Sequence, residues 1–335
     1  MEPGEPERYL PFSSWWPVGA GALIGVTLRL AFIGHPGGRL DAMSAAFIYL
    51  APLAVSSVTV YLAERRERRS WWYYARAGMA ANALCVFGTL LVMIEGLICA
   101  IVIVPLFALY GALGGLVMGA VCRLTQWPKQ VAGCIAVLPL VLGSLEPGPA
   151  PDVVSTIERT RFIAAPAPTV WNQLMDVRDI RPEEVSGAIA FTIGVPPPIS
   201  AVTRSDPDGD VRRVSMGKHI YFDQVEVEQR AHEYVHWTQR FYADSFPEGA
   251  FDQHVIMGGE HFDITDVSYR LTPQGAGTRL TLTMHYRVTT QFNWYADAVA
   301  RIVLGDLEET LLGVYDSRAA AAGHARVRDG LEQGV

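Results

Sequence analysis

Apolar residues run in long unbroken stretches up to about residue 145 and in short alternating ones from about residue 151, and this change of rhythm divides the chain. Hydrocarbon about 30 Å thick is crossed by roughly 20 helical residues rising 1.5 Å each. On that measure the first part predicts an α-helical transmembrane bundle of about five spans, near residues 15–34, 43–62, 77–94, 97–121 and 131–145. The fifth is short enough to fit a re-entrant segment too. Trp127 before it and Pro147-Gly148-Pro149 after it read as an interface anchor and an exit, so it is counted as spanning.

From Asp152 the periodicity becomes two. Leu280, Leu282, Met284, Tyr286 and Val288 fall on one face of a strand and Arg279, Thr281, Thr283, His285 and Arg287 on the other, so one side is buried and one is wet. Shorter strands are predicted over 153–164, 201–204, 211–216, 220–229, 233–242 and 261–271, with turns at Asp208-Gly209 and Gln274-Gly275. Two short helices are expected at 166–179 and 181–191, the second opened by Pro182. A long helix follows over 293–321, with Tyr295, Val299, Ile302, Val303, Leu307, Leu311 and Val314 as its apolar stripe, opposite Asp297, Arg301 and Glu308. The predicted organisation is a membrane domain over 1–145, a linker over 146–151, an α+β domain over 152–321 and a tail over 322–335.

The order strand, two short helices, about six strands and a terminal helix resembles the START-like SRPBCC superfamily of polyketide cyclase/dehydrase and lipid transport proteins. Ile163, Ala165, Pro166, Val170 and Trp171 look like its opening signature, and Gly277, Thr278, Leu280 and Tyr286 are similar to its penultimate strand. The resemblance covers about 151–320 and leaves the membrane part untouched. It implies a helix-grip fold, a curved antiparallel sheet around the long C-terminal helix with an apolar cavity between them, and it carries over no catalytic residue set.

Charge sharpens the division. Residues 1–150 hold ten Lys and Arg against eight Asp and Glu, and residues 151–335 hold seventeen against twenty-six. The acidic second part excludes a nucleic-acid partner, which would need a concentrated basic face. Arg65, Arg66, Arg68 and Arg69 mark a cytoplasmic loop under the positive-inside rule, and alternation across five spans then puts the second part outside the cytoplasm of a bacterial inner membrane. No cleaved leader is expected, since Glu2, Glu5 and Glu7 open the chain and the first apolar run lacks a cleavage site. Glu95 reads as a solvated turn residue and Arg29 as a snorkelling one. Gly111, Gly115 and Gly119, and Gly21 and Gly25, lie on single helix faces as packing seams, the first set also a candidate homo-oligomer contact. Cys85, Cys99, Cys122 and Cys134 all precede the second part and match no metal spacing.

The chemistry predicted for the second part is that of a pocket. Expected cavity-lining residues are Trp171, Val225, Val227, Leu280, Leu282, Met284, Tyr286, Trp294, Val299 and Val303. Asp223, sharing strand parity with Val225 and Val227, and Tyr286 are the candidates for acid/base chemistry. His219, His232, His236, His254, His261 and His285 are concentrated here. A strand separates His232 from His236 by about 13 Å, too far for one ion near 2 Å from each, and neither a metal nor another cofactor is expected. The expectation is a membrane-tethered protein that binds or transfers a hydrophobic molecule, a membrane lipid among the candidates. A cyclase or dehydratase acting in the same cavity, and a non-catalytic assembly module, stand as alternatives.

Overall fold

The change of rhythm at residue 151 is a structural boundary: the chain forms two units, Met1–Ala150 and Pro151–Val335. The structure, a computed structural model, describes residues 15–34, 40–125, 131–145, 150–206 and 209–332. The residues before 15, with Glu2, Glu5 and Glu7, the anchor and exit expected at Trp127 and Pro147–Pro149, and the first residue of the Asp208-Gly209 turn lie outside these.

All five apolar segments of the first unit are helical. They are α1 (Trp16–Ala31), α2 (Ala51–Glu64) entered through a π turn at Ala46–Leu50, α3 (Trp71–Leu91), α4 (Leu97–Leu124) and α5 (Val131–Leu145). Pro17 stands in the first turn of α1, where its missing N–H costs nothing. Ser70 caps α3 by accepting from the Tyr73 amide at 3.2 Å. Two of the five, Ala46–Glu64 and Leu97–Leu124, are long and apolar enough to cross a membrane, not all five. Helix α1 is 16 residues long, and α3 is long enough but opens on Trp71, Trp72, Tyr73 and Tyr74 and carries Arg76 and Asn82.

This unit exposes large apolar side chains and buries several polar ones within a mostly apolar interior. Leu23, Phe87, Leu91, Leu109, Leu113 and Val117 are exposed, whereas Arg29, Ser56, Thr59, Asn82 and Thr89 are buried. The Asn82 amide donates to the Pro52 carbonyl at 3.1 Å and so ties α3 to α2. Arg29 and Glu95, expected in solvated or snorkelling positions, are each other's partners in a buried ion pair. The glycine seam of α4 lies against α3: a Cβ at Gly111 would strike the Gly78 carbonyl, at Gly115 the Tyr74 carbonyl, and at Gly119 the Tyr74 ring.

The second unit is built on one sheet of eight antiparallel strands. They are β1 (Asp152–Ile163), β2 (Asp176–Val177), β3 (Pro198–Asp206), β4 (Gly209–Met216), β5 (Tyr221–Arg230), β6 (Tyr234–Arg240), β7 (Phe262–Gln274) and β8 (Gly277–Thr289), in the order β1-β8-β7-β6-β5-β4-β3-β2. The first strand closes on the last along an unbroken ladder from Asp152↔Thr289 to Ile163↔Thr278. Between β1 and β3 the chain forms α6 (Ala167–Met175), the two-residue β2, and single turns α7 (Pro182–Val185) and α8 (Ile189–Thr192), where one continuous second helix was expected. Gly187, between those turns, interrupts the helical run.

Helix α9 (Asn293–Glu332) is 40 residues long and continues past the expected end at 321, because the alanines from Ala319 to Ala322 favour helix and a lone Gly323 does not stop it. It lies on the sheet, making a curled half-barrel that grips a helix. The core between them gathers Leu280, Leu282, Met284 and Tyr286 of β8, Trp237 of β6, Tyr269 of β7, Trp171 of α6, and Leu304, Leu312 and Tyr315 of α9.

Candidate functional site in the interior of the carboxy-terminal unit

Strand β8 presents the row expected of it. Leu280, Leu282, Met284 and Tyr286 are all buried, as is Trp171, whose ring meets His232 edge-on with centroids 5.9 Å apart. The other lining residues stand elsewhere. Val227 is 56% exposed and Trp294 60% exposed. The strand of Val227 faces the opposite way from the expectation, with Gln224 and not Asp223 turned to α9, and Val227 lies at a register shift between Glu226 and Glu228, a β-bulge. Val225 is half-buried on the parity of Asp223, and Val299 and Val303 are half-buried on the flank of α9. The helix centres Leu304, Glu308, Leu312, Tyr315 and Ala319 on the core, one residue round from the expected stripe, of which Val314 is buried, Leu307 and Leu311 pack half-buried against the core and Ile302 is 63% exposed.

Asp223 is buried, but on the other face of the sheet. Register pairs Arg212 with Gln224 and Arg213 with Asp223, and Arg212 and Gln224 are the pair that faces α9. Asp223 takes both nitrogens of Arg213, Nη2 at 3.0 Å, and accepts from the Tyr242 hydroxyl at 2.7 Å. Burial pushes its carboxyl up, yet the bonds from Arg213 and Tyr242 outweigh burial and hold it below the ordinary carboxylate value. A carboxylate so fully engaged is a structural clamp. Tyr286 does face inward, and its hydroxyl donates to Asp297 at 2.7 Å, which Arg301 holds from the next turn at 2.9 Å. Burial and the bond to Asp297 push the Tyr286 phenol up to about 12, so its proton stays in place at neutral pH.

The interior group that sequence reasoning missed is Glu308. It stands in the middle of the buried face of α9 between Leu304 and Leu312, fully buried, with no hydrogen-bond partner on either carboxyl oxygen. Burial pushes its carboxyl up to about 8; Arg159 pulls it down, Glu158 pushes it up, and the nearby Met284 amide pulls slightly without bonding geometry. At neutral pH it is therefore chiefly a neutral acid, able to donate one proton into an apolar interior. The signal was present as the i, i+4 row Leu304, Glu308, Leu312, but the charge of Glu308 assigned it to the wet side.

A second polar group meets the same face of α9 at Tyr315, two turns and about 10 Å of helix rise beyond Glu308. Arg212 is buried and donates through Nη1 to Gln224 at 3.0 Å and through Nη2 to the Tyr315 hydroxyl at 3.1 Å. Tyr269 approaches Tyr315 with 3.4 Å between hydroxyls, and the guanidinium lies 4.9 Å over the Trp237 ring.

The histidines do not converge on a cation site. His219 and His232 sit in turns with φ of 60° and 66°, so His232 is not on the strand that holds His236. His236 and His285 meet the same Asp266 oxygen at 3.0 and 2.7 Å on the outward face. Among the described residues no three His, Cys, Asp or Glu side chains are grouped to hold a metal.

No family model matches the chain, and no curated protein matches it. Solved structures do. A protein from Thermus thermophilus shares 19% identity over 50% of this chain and 99% of its own, with a TM-score of 0.32. A point mutant of norcoclaurine synthase from Thalictrum flavum, in complex with a transition-state analogue, shares 10% identity over 52% of this chain and 98% of its own, with a TM-score of 0.32. The ZhuI aromatase/cyclase from Streptomyces sp. R1128 shares 16% identity over 50% of this chain and 94% of its own, with a TM-score of 0.30. The helix-grip architecture itself stands on this chain's own strand order and register.

Proposed function

We propose that the chain is a membrane-tethered binding protein of the START-like SRPBCC kind, which takes a hydrophobic molecule, a membrane lipid among the candidates, between α9 and the sheet and delivers it at the bilayer surface. The observation that carries the reading is the make-up of that interior. An apolar row from β8 and α9 is interrupted by a few buried polar groups, Glu308 and the Arg212 cluster, and apolar sites with a small number of orienting polar groups are what hydrophobic ligands fit. Tethering keeps such a site close to lipid and raises its effective concentration there.

The large apolar side chains exposed on the first unit, Leu109, Leu113 and Phe87 among them, support membrane insertion of the five-helix bundle. The proposed topology has α3, α4 and α5 all cross, although of the three only α4 is long and apolar enough by itself; Arg65–Arg69 then face the cytoplasm and Pro151 onward lies outside it, in a bacterial inner membrane. A reporter active only outside the cytoplasm, fused after Pro151, is expected to work; activity of a cytoplasm-only reporter there overturns the placement. For the ligand, the full chain is purified in mild detergent and its bound molecules are extracted for mass spectrometry. Reproducible enrichment of an apolar species over a membrane protein control supports the reading, and none in repeated preparations overturns it.

A second reading is favoured by Glu308. An enzyme of the cyclase or dehydratase kind needs an acid held neutral in an apolar site, and Glu308, with the Arg212–Tyr315 pair to stabilise negative charge at a point of α9 about 10 Å further along the helix, meets that need where Asp223 and Tyr286 do not. Loss of turnover of an aromatic polyketide substrate in Glu308→Gln, with ligand binding retained, would distinguish it.

A further inference from the structure

Three strands place polar side chains in one row on the inner face of the sheet. Arg212 of β4 pairs across to Gln224 of β5, and Gln224 pairs across to Gln239 of β6. Trp237, two residues before Gln239, shares its face and lies under the guanidinium. Tyr315 closes the row from α9.

The row is not balanced. A buried guanidinium ordinarily has a carboxylate, because desolvating a charge is costly unless a counter-charge answers it. Arg212 is 3% exposed, its bonded partners Gln224 and Tyr315 are neutral, and among the described residues it joins no ion pair. Its Nε is buried without a hydrogen-bond partner, as is the indole Nε1 of the fully buried Trp237. The Gln239 Oε1 is likewise buried and unpartnered. Turning that amide over replaces its unpartnered acceptor with an N–H in the same row.

We propose that this row is the binding site for the carboxylate of an apolar monocarboxylic acid, the acid group sitting on Arg212 Nε and Trp237 Nε1 and its hydrocarbon lying along the β8 row. The inference rests on the ligand-binding reading above and names the chemical class it takes. One anion answers one uncompensated cation. A phosphate monoester, carrying about two charges and three strong acceptor oxygens, would over-compensate a single arginine and leave acceptors unpaired in an apolar interior. Because the row is closed off from solvent, uptake needs an opening motion and is slow.

The test uses the full chain in phosphatidylcholine nanodiscs, with empty nanodiscs as the blank, and radiolabelled palmitate and hexadecanol as probes at a pH where palmitate is ionised. Saturable retention of palmitate at least ten-fold tighter than hexadecanol is expected. Arg212→Met is expected to bring palmitate down to the level of the alcohol while the alcohol's binding stays within two-fold. Equal affinity for the two probes on the unaltered chain overturns the carboxylate site and leaves the ligand-binding reading standing. Retention of neither probe overturns both. If Arg212→Met loses both probes through misfolding, the acid-to-alcohol ratio on the unaltered chain decides.

Discussion

Arg29, in the last turn of α1, and Glu95, in the turn between α3 and α4, are 66 residues apart in sequence and form a buried ion pair. Arg29 also donates to the Phe32 carbonyl at 2.7 Å, so its guanidinium fastens the end of α1 to the α3–α4 turn. Removing one member strands the other charge in a place with little water. Glu95→Gln is expected to lower the stability of the first unit by about 3 kcal/mol, and Arg29→Met together with Glu95→Leu to recover most of it. Thermal melting of the full chain in detergent, followed by tryptophan fluorescence, checks the order; equal stability of Glu95→Gln and the unaltered chain would show the pair to be idle.

Glycine content along α4 has a position-specific consequence. At Gly115 any Cβ meets the Tyr74 carbonyl, whereas at Gly19 in α1 nothing lies within 4 Å. Gly115→Ala is therefore expected to cost about 1–3 kcal/mol through overpacking. Gly19→Ala should be neutral or stabilise by about 0.5–1 kcal/mol, the ordinary gain of replacing helical glycine. Melting of the two variants side by side reads the difference, and a matching loss in both would exclude the α3–α4 seam as its cause.

Glu308 makes stability depend on pH in the direction opposite to most carboxylates. Its carboxyl is ordinary, near 4.5, in the unfolded chain and about 8 in the folded one. Below 4.5 both states hold the proton. Between 4.5 and 8 the unfolded state has lost it while the folded state keeps it, so stability falls as pH rises through that window, by on the order of a few kcal/mol in total. Glu308→Gln keeps the shape without the titration, and its melting temperature should exceed that of the unaltered chain at pH 8 and approach it at pH 5. A parallel pair of pH profiles would contradict the assignment.

Asp223 should behave as a clamp and not as a catalyst. Its folded carboxyl lies below its ordinary value of 3.8, so its stabilisation is present above that value and is lost as pH falls through the folded one. Asp223→Asn is expected to cost about 2 kcal/mol, less than for a fully dry pair because the Arg213 side chain is 38% exposed. Ligand retention by the folded fraction should be unchanged. Retention lost without any loss of stability would return Asp223 to the interior.

Local pattern determined much of this protein. The break near residue 151, the helical character of the five apolar runs, seven of the eight strands and the inward row of β8 all follow from periodicities of 3.6 and 2, which report what a segment does about its own backbone and its own apolar face. The two-residue β2 is too short to have a period and exists because β3 supplies its partners. Tertiary structure decided which face was which wherever both faces were mixed. On β5, Val225 and Val227 argued for one side, but the bond of Gln224 to Arg212, which reaches Tyr315 of α9, puts Asp223 on the outer face. On α9, charge argued Glu308 into solvent, yet the packing of Leu304, Leu312 and Tyr315 carries it into the core. Alternation and helical spacing relate residues a few positions apart, whereas Arg29 with Glu95 and Arg212 with Tyr315 are contacts between distant segments, made only once separate elements have docked.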